Sequence, residues 1–271
     1  MNPAGLAAFY ARAADAVLQD DEWPAAHAAL LDQLERGTLR AAVRTAAGDW
    51  HPVAWVKQAI LLGFRGTALA EVDAPLFPFF DKTAFPPRTF ELADAVRLVP
   101  GGSAVRRGAH LAKGVVVMPP AYVNVGAFVG EGTMIDSHAL VGSCAQVGAR
   151  VHLSAGAQLG GVLEPAGARP VVVEDDAFVG ALAGVFEGVV VRARAVLAPG
   201  VVLTGSTVVI DLVQGREWRR EVPPGAVVVP GARPAPGAFA QQKGLMLQAP
   251  VIVKYRDAKT DAATALEDAL R

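Results

Sequence analysis

From Ser103 to Ile210 branched aliphatic side chains recur at every sixth residue. The third position of each unit reads Val105, Leu111, Val117, Val123, Val129, Ile135, Val141, Val147, Leu153 and Leu159. After an eight-residue interruption from Leu163 to Pro170 the series resumes at Val173, Val179, Val185, Val191, Leu197, Leu203 and Val209. The first position is always Ser, Ala, Thr or Val, and the sixth is often glycine, as at Gly108, Gly126 and Gly200. A period of six is neither the 3.6 of a helix nor the 2 of an ordinary strand. Each unit must therefore be one short strand plus a corner, and three units close a triangular coil with the third-position aliphatics stacked inward. Glycine suits the corner because it takes left-handed backbone angles at little steric cost. Seventeen units make between five and six coils, and at a strand spacing of about 4.8 Å the column stands roughly 27 Å tall. The predicted fold class is mainly β, a parallel β-helix of hexapeptide repeats over 97–210, with an external loop at 163–170.

The flanks lack the period. Residues 1–96 read as an α-rich domain. Leu6, Phe9, Tyr10, Ala13 and Val17 keep helical spacing, and Pro24 followed by Leu30, Leu31 and Leu34 gives a second helix stopped at Gly37. Thr38 to Thr45, a turn at Gly48-Asp49 and Trp50 suggest a short hairpin. Pro52 opens a third helix that buries Val53, Val56, Ile60 and Leu61 and ends at Gly63. Thr67 to Phe90, rich in Pro and Phe, reads as an irregular connector. This domain is expected to cap the first coil, whose open strand edges would otherwise invite pairing with other chains. Residues 211–271 read as a small β/α cap over the other end. It has strands at Glu217–Arg220, Ala226–Val229 and Leu247–Tyr255, a loop at Pro234–Gly237 and a final helix from Asp257 or Thr260 to Arg271.

Composition narrows the function. A net charge of −1 supplies no field for nucleic acid or an anionic membrane. No run of eighteen apolar residues occurs and no basic start precedes an apolar block, so neither a membrane span nor a signal peptide is predicted. The single cysteine, Cys144, excludes an internal disulfide and fits a reducing compartment, which makes the cytoplasm the expected location.

Several stretches carry a resemblance. They are L-E-R-G-T-L-R ending at Arg40, V-K-Q-A-I-L-L-G-F-R ending at Arg65, F-F-D-K at Phe79–Lys82 and R-L-V-P at Arg97–Pro100. They continue with A-Y-V-N-V-G-A-F-V-G-E-G-T-M-I-D at Ala121–Asp136, V-G-S-C-A-Q-V-G at Val141–Gly148, G-G-V-L-E-P at Gly160–Pro165, and V-I-V-K and D-A-K-T near the end. Together they resemble the 2,3,4,5-tetrahydropyridine-2,6-dicarboxylate N-succinyltransferases of the diaminopimelate route to lysine. The resemblance implies left-handed coils, a homotrimer with active sites between neighbouring columns, and succinyl-CoA as co-substrate. It also implies tetrahydrodipicolinate, as 2-amino-6-oxopimelate, as the acceptor, and no metal. It makes Arg97 a substrate-binding arginine and Asp136 a substrate-contacting acid, and it places coenzyme A contacts at Gly180, Ala181, Ala198 and Gly205. The chemistry is consistent: a guanidinium holds a carboxylate bidentately, a carboxylate or imidazole can take the amine proton, and corner amides can polarise the thioester carbonyl.

The chain also departs from that pattern. Where the family shows G-A-R-S-E-V-V-E-G, residues 180–188 read G-A-L-A-G-V-F-E-G, so Leu182, Ala183 and Gly184 replace an arginine, a serine and a glutamate. Glu187 is retained and is a candidate to replace the lost acid, against the plainer reading of a solvated corner. The family's tryptophan two places after the aspartate is His138. It is a candidate general base, since other hexapeptide acyltransferases use a corner histidine, or else an exposed structural residue. Small insertions surround Gly101-Gly102 and Pro119-Pro120. Asp136 at a fourth position can merely turn the corner, Arg97 can be a surface ion pair, and Cys144 reads as a small buried corner residue rather than a nucleophile. Lys254 and Lys259 could meet coenzyme A phosphates or simply be solvated. Three other readings follow: the same scaffold with an altered acceptor or acyl donor, a non-catalytic trimeric scaffold, and a zinc lyase. The last needs three convergent histidines, whereas His110, His138 and His152 are widely spaced.

Overall fold

The computed structural model describes residues 1–72, 78–257 and 261–262. Two-residue strands pair in parallel with the strand 18 residues on, as in Phe128 with Gln146, Met134 with His152 and Tyr122 with Leu140. Across the 163–170 loop the offset becomes 26, with Gln146 opposite Val172 and His152 opposite Phe178. The eight extra residues therefore leave the column without disturbing its register.

Three parallel sheets form the faces of a left-handed parallel β-helix. The first face carries strands 116–117, 134–135, 152–153, 178–179 and 196–197. The second carries 104–105, 122–123, 140–141, 158–159, 184–185 and 202–203, and the third 110–111, 128–129, 146–147, 172–173 and 190–191. All seventeen third-position aliphatics are at most 4% exposed. Each such burial contributes about 1.5–3 kcal/mol, and the small first-position residues fill the space beside them in the same core. Most sixth positions are left-handed, glycine or not: φ is +75° at Gly126, and also +62° at His138, +65° at Cys144 and +57° at Leu182, whereas Pro120, Val162 and Ser206 are exceptions. Coil closure imposes this angle, at a cost of roughly 1–2 kcal/mol for a residue with a Cβ.

The column outlasts the sequence period. Beyond Ile210, Glu221–Val222 pairs with Val190–Val191 and Ala226–Val229 pairs with Val196–Leu197, and Val222 and Val228 lie in the same core. The hairpin of Val208–Asp211 with Arg216–Arg219 intervenes, which is why sixfold spacing disappears while the winding continues. Asp211, 1% exposed, ties this end together. It accepts from the amides of Val213 and Gln214 at 3.0 Å, from Trp218 Nε1 at 3.1 Å and from the Tyr255 hydroxyl. Burial alone would raise its pKa, but these donors outweigh burial and hold it below the usual range. Met246–Gln248 and Val251–Tyr255 are separate strands rather than the one expected, because Pro250 cannot donate to a ladder. The final helix expected to run to Arg271 falls almost wholly outside the described residues.

The helical domain does not sit only over the first coil. Helix Trp23–Glu35 and the hairpin Ala42–Arg44 with Trp50–Pro52 form as expected, while the third helix begins after Pro52, at Ala54, runs past Gly63 to Gly66 and leaves Leu61 half-buried. The first helix divides into Pro3–Tyr10 and Ala14–Leu18, and the supposed irregular connector contains a hairpin of Leu69–Val72 with Phe79–Lys82. Those strands are free of proline, which lies only outside them. The helices share a core with Val125 and Cys144, and polar contacts run along the third face: Arg40 Nε donates to Gln146 Oε1 at 2.9 Å and Trp50 Nε1 to Glu174 Oε1 at 2.9 Å. Lys57, fully buried, donates its Nζ to the carbonyls of Pro165 (3.1 Å) and Ala168 (2.6 Å), pinning the external loop. The expectation of an end cap is thus corrected to a side buttress, because the apolar helix surface meets the coil flank.

His27 is 6% exposed against the rings of Trp23 and Phe85, and burial pushes its pKa down to about 4. The unfolded chain takes up this proton near pH 6.5 and the folded chain only near 4, so stability must fall as pH drops through that window. The loss is about 3 kcal/mol at most. Chemical denaturation between pH 7 and 4 should show it, with a shallower slope for His27→Gln.

Candidate active site

The edge between the first and second faces is built from corners 118–121, 136–139, 154–157, 180–183 and 198–201. Sequence candidates Asp136, His138, Gly180, Ala181 and Ala198 all fall on it. Asp136 follows strand Met134–Ile135; its amide donates to the Leu153 carbonyl at 2.9 Å and its Oδ1 accepts from the Ser137 amide at 2.7 Å. Its other carboxylate oxygen has no hydrogen-bond donor among the described residues. His152 lies in the next coil opposite Met134, with its ring stacked 5.0 Å from Phe178. Burial lowers the His152 pKa, and the Asp136 charge opposes that shift.

His138 is exposed at the left-handed corner. Its amide donates to the Pro120 carbonyl at 2.5 Å, and its carbonyl accepts from Gln158 Nε2 at 3.0 Å. It borders an open cleft of about 360 Å³ with Pro120, Tyr122, Leu140 and Gln158. A second cavity of about 430 Å³ shares Ala104 and Tyr122 with that cleft and reaches Phe79 and Phe80 on the hairpin. The second face therefore carries a groove from His138 toward F-F-D-K. Arg97 lies in the strand paired with Val116, which in turn pairs with Met134. It is two strands, roughly 10 Å, from the Asp136 coil. It is exposed, and no ion pair involves it among the described residues.

Of the four positions expected to meet coenzyme A, three have committed amides. Gly180 donates to Leu197, Ala198 to Val228 and Gly205 to Glu187 Oε2 at 3.0 Å. Ala181 alone has an amide without a hydrogen-bond partner among the described residues. Glu187 and Gly205 lie on the other edge of the second face, so a single chain does not bring them to Asp136 and His138.

The departures from the family pattern have a geometric account. Ala183 is a core residue and Leu182 projects from the edge, 74% exposed. A Cβ on Gly184 would stand 2.4 Å from Phe186 Cε2, and one on Gly160 would stand 2.6 Å from Phe186 Cδ1. The Phe186 ring thus lies across two glycines and occupies the space a longer residue at 184 would need.

His110 Nδ1 donates to the Glu35 carbonyl at 2.7 Å and the ring stacks on Phe128, on the third face. The three histidines of the repeat are therefore on the third face, the first face and the edge between first and second. Among the described residues no three His, Cys, Asp or Glu side chains are grouped to hold a metal. Cys144 is buried and its thiol is pushed up to about 12 by burial, with Lys57 opposing. It is chemically quiet. Lys254 lies in the last strand and Lys259 outside the described residues. No described helix is long and apolar enough to cross a membrane.

Sequence reasoning missed Lys57, Phe186 and the proximity of His152 to Asp136. Lys57 falls in the stripe Val53, Val56, Lys57, Ile60, so helical spacing already placed it on the buried face. His152 was within reach of coil arithmetic, since it is 18 residues from Met134. Phe186 carried no period signal.

A column of stacked hexapeptide coils is the architecture of the hexapeptide-repeat acyltransferases, and comparison with known proteins places the chain in that class. The model for the N-terminal domain of tetrahydrodipicolinate N-succinyltransferase matches residues 7–65, and that for the hexapeptide repeat of succinyl-transferase matches residues 170–205. Proteins named 2,3,4,5-tetrahydropyridine-2,6-dicarboxylate N-succinyltransferase are similar over most of the chain. That of Nitrobacter hamburgensis is 43% identical over 252 residues (89% of this chain, 87% of the relative), and that of Acidovorax ebreus 47% over 246 (89% and 87%). The Polynucleobacter asymbioticus protein is 45% identical over 251 residues (90% and 88%). The chain belongs to the 2,3,4,5-tetrahydropyridine-2,6-dicarboxylate N-succinyltransferase family.

If Phe186 and Gly184 are a matched pair, Gly184→Glu alone should lower the melting temperature by several degrees, and adding Phe186→Val should restore most of the loss. Thermal melting of the three proteins checks this; an undamaged single variant would refute the pairing.

Proposed function

We propose that this chain transfers a succinyl group from succinyl-CoA to the amino nitrogen of 2-amino-6-oxopimelate, the open form of tetrahydrodipicolinate. The observation that carries the site assignment is that Asp136, His138 and the uncommitted Ala181 amide share one edge of the column. Arg97 holds an acceptor carboxylate as a bidentate ion pair. The acceptor ammonium gives a proton to Asp136, whose second oxygen is free to receive it, and the amine then attacks the thioester carbonyl. The developing oxyanion is met by the Ala181 amide. Collapse forms the amide bond, expels the coenzyme A thiolate and releases the second amine proton to His138, which can pass it to sulfur.

Glu187 and Gly205 stand a face away from this edge, and the neighbouring apolar surface at Leu182 and Val202 is exposed. A homotrimer would lay this edge of one chain against the opposite edge of its neighbour and bring Glu187 beside Asp136. Residues 1–96 act as buttress, 97–210 form the main body of the catalytic column, and 211–271 complete its last winding and cover its end. A buried, unreactive Cys144 accords with a cytoplasmic enzyme, and the transfer needs no metal. A second reading, with another acyl donor, is favoured by one feature: the Phe186 ring in place of a polar side chain at 184.

Release of coenzyme A thiol, followed with a chromogenic disulfide, tests both readings. Asp136→Asn should cut kcat at least about 100-fold with the fold intact, and undiminished turnover would remove Asp136 from the mechanism. Acetyl-CoA turnover equal to that with succinyl-CoA would favour the second reading.

A further inference from the structure

Between the hairpin Ala42–Arg44 with Trp50–Pro52 and the third face lies a cavity of about 400 Å³, on a different flank from Asp136 and His138. Its volume falls within the range of small-molecule sites. Arg40 borders it with an incomplete set of partners. The guanidinium stacks 3.6 Å over Phe128 and 5.4 Å from the Trp50 ring, and its one hydrogen bond runs from Nε to Gln146. Among the described residues no carboxylate forms an ion pair with it. Burial pushes its pKa down to about 10, and the charge of Asp175 opposes that shift.

The other charges divide clearly. Arg44 is engaged with Glu174 at 3.6 Å, and Glu174 is further satisfied by Trp50, Arg192 and the Ala193 amide. Glu131 and Asp175 border the same cavity without any ion pair among the described residues, Asp175 accepting only from the Ala149 amide at 2.8 Å. A simple anion would meet two carboxylates here and a simple amine a half-buried guanidinium, so each is opposed by charge. A ligand bearing both charges meets complementary groups. Arg40 is half-buried while Glu131 and Asp175 are exposed, and the Trp50 indole with the edge of the Phe128 ring supplies an apolar wall.

We infer that this cavity binds an α-amino acid in its zwitterionic form. Its carboxylate lies on the free end of the Arg40 guanidinium, its ammonium faces Glu131 and Asp175, and its side chain rests against Trp50 and the edge of the Phe128 ring. The same head group occurs on a free amino acid and on the amino end of the proposed acceptor. The test separates these sources, and it does not depend on the catalytic reading.

Titration calorimetry of the full chain with L-norleucine, hexanoate and pentylamine supplies the probe with both charges and with each alone. Norleucine should bind, and hexanoate and pentylamine should bind at least about tenfold more weakly, since each charge-assisted hydrogen bond is worth roughly that factor. Arg40→Gln, Glu131→Gln and Asp175→Asn should each weaken norleucine about tenfold. Glu131 is exposed and the Asp175 substitution keeps an acceptor for Ala149, so these two variants hold the test if loss of Arg40 disturbs the hairpin. Asp136→Asn should leave norleucine binding unchanged. The proposal is overturned by any of four results: no norleucine binding at millimolar concentration, hexanoate or pentylamine binding as tightly, indifference to the Glu131 and Asp175 substitutions, or loss of binding in Asp136→Asn, which would place the ligand in the acceptor site.

Discussion

The structure depends on the inward stacking of branched aliphatic side chains from successive coils. A two-residue strand cannot hold itself in place, since it has two inter-strand partners and no length. It is fixed because Val129 lies over Leu111 and under Val147, each fully or almost fully buried. Parallel pairing of each strand with the coils above and below then ties most of the column's backbone amides to carbonyls. The external loop shows how strict this is: eight residues are expelled to the flank so that Leu153 can still meet Val179. The expelled segment is in turn held by Lys57, a buried cation whose hydrogen bonds end on its carbonyls. Placing an ammonium in a core is costly unless its donors are satisfied, and here the loop and the helix stabilise each other.

The same closure sets the chemistry of the edges. Most corners of the coil carry a left-handed residue, and side chains such as His138 and Leu182 are tolerated there because the whole stack determines the angle. The corner that turns the chain also projects its side chain from the column. Catalytic groups placed on such an edge are rigid without being buried. Amides on this edge are unevenly engaged: those of Gly180 and Ala198 tie coil to coil, while that of Ala181 has no partner among the described residues.

The replaced polar loop at 182–184 is a repacking rather than a simple loss. With Gly184 and Gly160 beneath it, the Phe186 ring lies flat along the second face, so the surface exchanges a charged wall for an aromatic one. The exchange is local: Ala183 keeps its place in the core and the strand register on either side is unchanged.

The column was legible in the residue pattern, because branched aliphatics at every sixth position can be buried together only in a coiled stack of short strands, and all seventeen are buried. The sequence by itself also determined that Asp136, His138 and Ala181 occupy corners, since corner positions follow from the count within each unit. Tertiary structure decided what the count cannot express. It set the continuation of the winding through Val222 and Val228 after the spacing fails, the buttressing of the third face by helices, and the separation of Glu187 from Asp136 by the width of a face. It also placed Arg40, Glu131 and Asp175 around one cavity. Those relations join residues up to 135 positions apart, Arg40 and Asp175 among them, through side-chain volume and charge, which leave no periodic trace along the chain.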